Sequence, residues 1–111
     1  MVLSRAWGVL SEEDLVVHYQ ALAADPRFDP TFDQIADLRE VTGFALGTAA
    51  LRREAAIRVF DRAARRALVA TSDIAFGLSR MYASEAYDVS PSIEVFRDMA
   101  EAEDWLKQSS P

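Results

Sequence analysis

Apolar positions fall in short blocks along this chain, and the spacing inside the blocks switches between continuous runs and a helical repeat. Arg65 to Tyr82 shows the switch most clearly. Ala67 to Ala70 is a short apolar run with the length and valine content of a strand buried on both faces. Thr71, Ser72 and Asp73 follow, and their side-chain oxygens suit the start of a helix, where amide groups lack partners. Ile74, Leu78, Met81 and Tyr82 then repeat on one helical face. A buried strand that feeds straight into a helix is one turn of an α/β unit.

The rest of the chain repeats this plan. Val2 to Trp7 reads as a strand ended near Gly8, and Ser11 with Asp14 forms a relative of the capping box. The helix that follows places Leu15, Tyr19 and Leu22 on one face and stops at Asp25-Pro26, because a residue before proline is pushed out of the α region. Phe28 and Phe32 should pin the next loop onto the core. Gln34 to Arg39 is a second buried strand, and residues 41–48, with Gly43 and Gly47, read as an irregular loop. Thr48 should cap a second helix reaching Ala63, with Glu54, Arg58, Asp61 and Arg62 on its polar face and Leu51, Ala55, Val59 and Phe60 inward. Ile93 to Phe96 is the fourth strand. Asp98 caps a last helix, with Glu101 in capping-box position and Met99, Ala102, Trp105 and Leu106 inward, and Ser109 to Pro111 read as a frayed tail. Strand and helix alternate four times with short connections, which predicts one α/β domain over residues 1–111 with a mostly parallel sheet and right-handed crossovers.

Composition narrows the function classes. The 111 residues carry a formal charge of -6, which opposes a nucleic-acid backbone and disfavours anionic membranes. There is no cysteine, so disulfides, thiolate chemistry and cysteine-based metal sites are excluded. No apolar run has the length to span a bilayer, so membrane insertion is not expected. A cytoplasmic location is the plain reading.

Few residues suggest chemistry. His18 is the single histidine, with Asp14 one turn before it, and together they make at most half a metal site, so no metal or other cofactor is expected. A Ser-His-Asp set would need His18 to meet a serine such as Ser72, but no nucleophile elbow surrounds Ser72, and helix capping accounts for it. Strand ends attract ligands where strand order reverses in open α/β sheets. Asp37, Arg39, Phe44, Thr71 and Ser72 are the candidate rim residues for such a pocket, with structural capping the favoured use of the last two. Phe76, Arg80 and Tyr87 share a second helical face with Ala83, and aromatics with arginine are enriched at protein interfaces. Arg52, Arg53, Arg58, Arg62, Arg65 and Arg66 read as a solvated, salt-bridged surface with Glu54 and Asp61 among them.

Several stretches together carry a family resemblance: Trp7-Gly8, Asp25-Pro26-Arg27-Phe28-Asp29-Pro30, Asp37 to Thr42, Phe76 to Tyr82, and Val95-Phe96 leading to Ala102 to Leu106. In order and spacing the chain resembles the SpoIIAA-like, or STAS-type, domains of anti-sigma-factor antagonists and sulfate transporter tails, and more closely their uncharacterised bacterial STAS/SEC14-like branch. The resemblance implies a four-turn βα superhelix, with one further strand before Trp7 in many members. The phosphorylated regulators resemble a pattern in which an Asp-Ser pair opens the helix after the second strand. Ala45 and Leu46 stand in its place here, so the phosphoacceptor hydroxyl is missing. The leading expectation is therefore a non-enzymatic module that binds a protein partner or a second copy of itself through Phe76, Arg80 and Tyr87. A SEC14-like carrier of a small apolar or lipid-like ligand, lined by Phe28, Phe32, Phe44, Met81 and Tyr82, is the alternative, and a hydrolase using Ser72 or Asp37 is the third reading.

Overall fold

A computed structural model describes residues 1–108; the expected tail, residues 109–111, lies outside the described residues. Strands and helices alternate as β1 (Val2–Ser11), α1 (Glu12–Ala24), β2 (Gln34–Ala45), α2 (Thr48–Ala55), β3 (Arg66–Val69), α3 (Asp73–Glu85), β4 (Ile93–Phe96) and α4 (Met99–Lys107). The sheet is parallel throughout and its strands lie side by side in chain order, β1-β2-β3-β4.

That order decides where the helices go. Right-handed crossovers that always step in the same direction put α1, α2 and α3 on one face of the sheet. The last helix, α4, packs on the other face. Side chains alternate across β3 accordingly. Leu68 joins Leu51, Ala55, Tyr82, Ala86 and Ile93 on the crossover face, whereas Ala67 and Val69 meet Ile35 and Ala102 on the α4 face. Ala67 to Ala70 are all buried, as the apolar run requires.

Local capping sets the ends of the first and last helices. Ser11 Oγ accepts from the Asp14 amide and the Asp14 carboxylate accepts from the Ser11 amide, closing the capping box of α1. Asp98 accepts from the Ala100 amide at the start of α4.

Five expectations fail for tertiary reasons. β2 does not dissolve into a loop after Arg39 but continues to Ala45, because β1 also continues to Ser11 and pairs Val9, Leu10 and Ser11 with Gly43, Phe44 and Ala45. Two register shifts relieve the extra length, one beside Gly8, whose φ of +70° only glycine adopts without strain. The second helix ends at Ala55 rather than Ala63. The Asp61 amide bonds the Pro30 carbonyl at 2.7 Å instead of a helical acceptor, and Phe60 drops inward, 1% exposed, with its ring edge-on to Phe28 at 5.3 Å. Phe28 thus pins its loop as expected, while Phe32 lies at the surface. Glu54, expected on a polar face with Arg58, is buried, and its Oε1 has no hydrogen-bond partner. Finally, α3 is rotated about its axis relative to the expected stripe. Ala75, Ser79 and Tyr82 are buried, whereas Ile74 and Met81 are exposed.

Candidate functional site

The unbroken strand order removes the reversal point at which a rim pocket was expected. The concave space lies instead between the crossover face and its helices. A cavity of about 400 Å³ is bounded by β1, β2, β3, α1, α2 and α3, within the range of small-molecule sites. Leu15, Leu38, Phe44, Leu51, Leu68 and Leu78 form much of its apolar wall, and Ser4, His18, Tyr19, Gln34, Arg66 and Tyr82 bring polar groups to it.

Those polar groups come from equivalent places. Gln34 and Arg66 open β2 and β3 and stand opposite each other in the parallel register. Both point to the crossover face, two positions before Ala36 and Leu68 on that same face. The Arg66 guanidinium is 4% exposed. Its Nε donates to Gln34 Oε1 at 2.9 Å, one terminal nitrogen donates to Ser90 Oγ at 3.3 Å, and the other to the Tyr82 hydroxyl at 3.2 Å. The rings of Phe60 and Tyr82 lie 4.7 and 5.6 Å from the guanidinium carbon, so aromatic faces offset part of its desolvation.

Donor and acceptor inventory fixes the orientation of the Gln34 amide in this network. Arginine only donates, so the Gln34 oxygen must face Arg66 and its amide nitrogen must face Ser4. Gln34 Nε2 donates to Ser4 Oγ at 3.0 Å, and Ser4 Oγ stands 2.9 Å from His18 Nε2. Ser4 Oγ thus accepts from Gln34 and shares one further bond with His18 Nε2, whose direction follows the imidazole tautomer. Burial, and after it the Arg66 charge, hold the His18 value below the ordinary histidine range, which favours the neutral imidazole. On the other arm the Tyr82 and Tyr19 hydroxyls are 2.6 Å apart, and burial pushes the Tyr19 phenol upward, so it stays protonated.

The network lacks one thing. None of the seven ion pairs among the described residues involves Arg66. The carboxylate on the cavity lining, Asp14, is occupied by the Ser11 amide. A buried cation that meets only neutral acceptors is an expensive arrangement.

The residues singled out in the sequence are dispersed. Phe44 lines the cavity, and so does Tyr82; Phe28, Phe32 and Met81 do not. Asp37 points to the α4 face, where its carboxylate binds Arg39 through two bonds of 2.9 and 3.0 Å, and Arg39 holds it below the usual carboxylate range. Ser72 Oγ caps α3 by accepting from the Ala75 amide, and the Thr71 carbonyl accepts from Arg97. Phe76 lies half-buried beneath the Arg97 guanidinium at 4.2 Å, while Arg80 and Tyr87 are exposed, Tyr87 past the end of α3. Phe76, Arg80 and Tyr87 stay outside the cavity. His18 and Ser72 do not meet; His18 bonds Ser4 instead.

Sequence reasoning missed Arg66, Gln34 and Ser4. By composition Arg66 reads as one of several solvated arginines, although it directly precedes the apolar run Ala67 to Ala70. A polar residue at the head of each of two neighbouring parallel strands was the available signal, because equal register brings such heads together.

No protein family model matches the sequence, and no curated protein matches it. Among solved structures, an uncharacterised protein from the DUF3478 family of Shewanella loihica PV-4, described as having a SpoIIAA-like fold, is similar at 23% identity and a TM-score of 0.52, over 92% of this chain and 80% of that one. With four parallel strands and the α4 helix turned to the opposite face, the chain has a SpoIIAA-like fold.

Proposed function

We propose that this chain is a non-enzymatic, cytoplasmic binding module that holds a small amphipathic molecule between its sheet and its crossover helices. The observation that carries the reading is the cavity itself, with leucines and Phe44 on its walls and a hydrogen-bonded polar cluster at one end. The Ser4–His18 pair resembles a nucleophile with its base, but Ser4 Oγ also accepts from Gln34, and no bond joins a carboxylate to the histidine among the described residues. Binding requires nothing further of these groups, whereas hydrolysis would require an orienting partner and an oxyanion site. Native mass spectrometry of freshly purified protein should show a retained small organic mass, and Leu78→Trp, which fills the cavity, should lose it. Bare protein that also gains no thermal stability from any apolar probe would overturn the reading.

A second reading keeps the expected protein or homodimer partner. It is favoured by exposed Leu3, Trp7 and Val9 along β1, which forms one edge of the sheet, and by exposed Tyr87. Sedimentation that is unchanged by Phe76→Ala with Tyr87→Ala removes the α3 surface from that reading.

A further inference from the structure

We infer that the ligand of this cavity is an anion with an apolar tail, its carboxylate seated against Arg66 and the Tyr19–Tyr82 hydroxyl pair; this rests on the cavity being a binding site. Arg66 borders the cavity yet is 4% exposed, so its charge is withdrawn from water and delivered to that space. A guanidinium has five N–H donors, and the bonds to Gln34, Ser90 and Tyr82 occupy three of them. The tyrosine pair adds another free donor. Each hydroxyl owns one proton, one bond joins the two oxygens, and whichever donates leaves the other proton unspent. The cluster therefore offers surplus donors and a full positive charge, and no carboxylate among the described residues pairs with it.

A carboxylate is the complement of that surplus. It accepts only, and it pairs with a guanidinium through charge-assisted bonds that strengthen where water is excluded. A neutral alcohol would satisfy a donor or two but leave the charge uncompensated. An ammonium group would add a second cation to a buried one. The leucine side chains of the wall fix the other half of the ligand as hydrocarbon.

Three probes of equal chain length separate the terms: decanoate, 1-decanol and decylamine, titrated calorimetrically into the whole chain at pH 7.5. Decanoate should bind about tenfold or more tightly than decanol, since a charged hydrogen bond outweighs a neutral one, and decylamine should not bind. Arg66→Met and Tyr19→Phe should each weaken decanoate while leaving decanol near its original affinity. The comparison within the unmodified protein keeps the test valid if Arg66→Met fails to fold. Equal binding of decanoate and decanol overturns the anion assignment and leaves the cavity reading standing. No binding of any probe overturns both.

Discussion

Arg65 and Arg66 are neighbours in the chain and opposites in the structure. Arg65 turns to the α4 side, where its terminal nitrogens bond the carbonyls of Trp105, Leu106 and Gln108 and the carboxylate of Asp33, with the Trp105 ring 5.8 Å away. Trp105 and Leu106 lie in the last turn of α4 and Gln108 is its C-cap. Among the described residues only the Trp105 carbonyl of the three has a backbone donor, the Gln108 amide, so the cation completes the helix end. Arg66 turns to the crossover side and finds a glutamine, a serine, a tyrosine and a cavity. One face of the sheet is closed by small residues, Ala67 and Ala102, that let α4 approach. The other is held apart by large polar side chains. Period-two alternation alone separates a finished structural contact from an unfinished one.

The contrast can be broken most severely at Phe60, which is 1% exposed and lies under the Arg66 guanidinium. Phe60→Ala should cost about 3–5 kcal/mol in chemical denaturation, because a large buried ring is replaced by a cavity and a buried cation loses its aromatic face. A loss below about 1 kcal/mol would mean the site collapses freely and Phe60 does not support Arg66.

The arginines themselves give the next test, in which the two faces should differ in size. Arg65→Ala should destabilise by about 1.5–3 kcal/mol, since several hydrogen bonds to a charged group are lost at the end of α4. Arg66→Met should cost the ligand-free protein less than Arg65→Ala, because the acceptors it strands on Gln34, Ser90 and Tyr82 are offset by removal of an unpaired buried charge. If Arg66→Met is the more damaging of the two, the guanidinium is a structural fastener and not a reserve of binding energy.

The smallest expected effects are those of pH, and they run in opposite directions at two residues. His18 is held low by burial and by Arg66, so the unfolded chain takes up its proton first. Its contribution to stability is complete above the unfolded value of about 6.5 and is lost as pH falls through the folded value, and His18→Gln should flatten that loss. Glu54 is held high by burial and by Glu12, so the folded chain takes up its proton first. Its contribution is complete below the unfolded carboxyl value and is lost as pH rises through the folded one. Glu54→Gln should therefore raise the melting temperature at pH 7 by a few degrees, with the gain gone near pH 4. Melting curves of the two variants that shift in parallel across pH would contradict both assignments.

Legibility in the sequence followed the range of the interactions involved. Ser11 with Asp14, the Asp25-Pro26 stop and Asp98 announce the limits of α1 and the start of α4 because each acts on the backbone within a few residues of itself. Ala67 to Ala70 announces a strand buried on both faces because nothing polar interrupts it. The end of α2 was not legible: the Asp61 amide is claimed by Pro30, from a loop that no local pattern connects to it. The candidate site was less legible still. Phe44 and Tyr82 read as pocket residues, but Arg66 reads as one more surface cation among many, and His18 as at most half a metal site.

By itself, then, the amino-acid order determined four strand-helix units, their parallel sense and the start or stop signals of several helices, since these depend on hydrogen bonds and apolar repeats within one or two turns. Tertiary structure decided which of two adjacent arginines meets a helix end and which meets an open space. It also decided that β1 and β2 extend each other and that Glu54 is buried. These outcomes arise between residues about thirty or more positions apart in most cases, such as Gln34 with Arg66 and Tyr19 with Tyr82. Register and helix placement bring such residues together only after the sheet has formed.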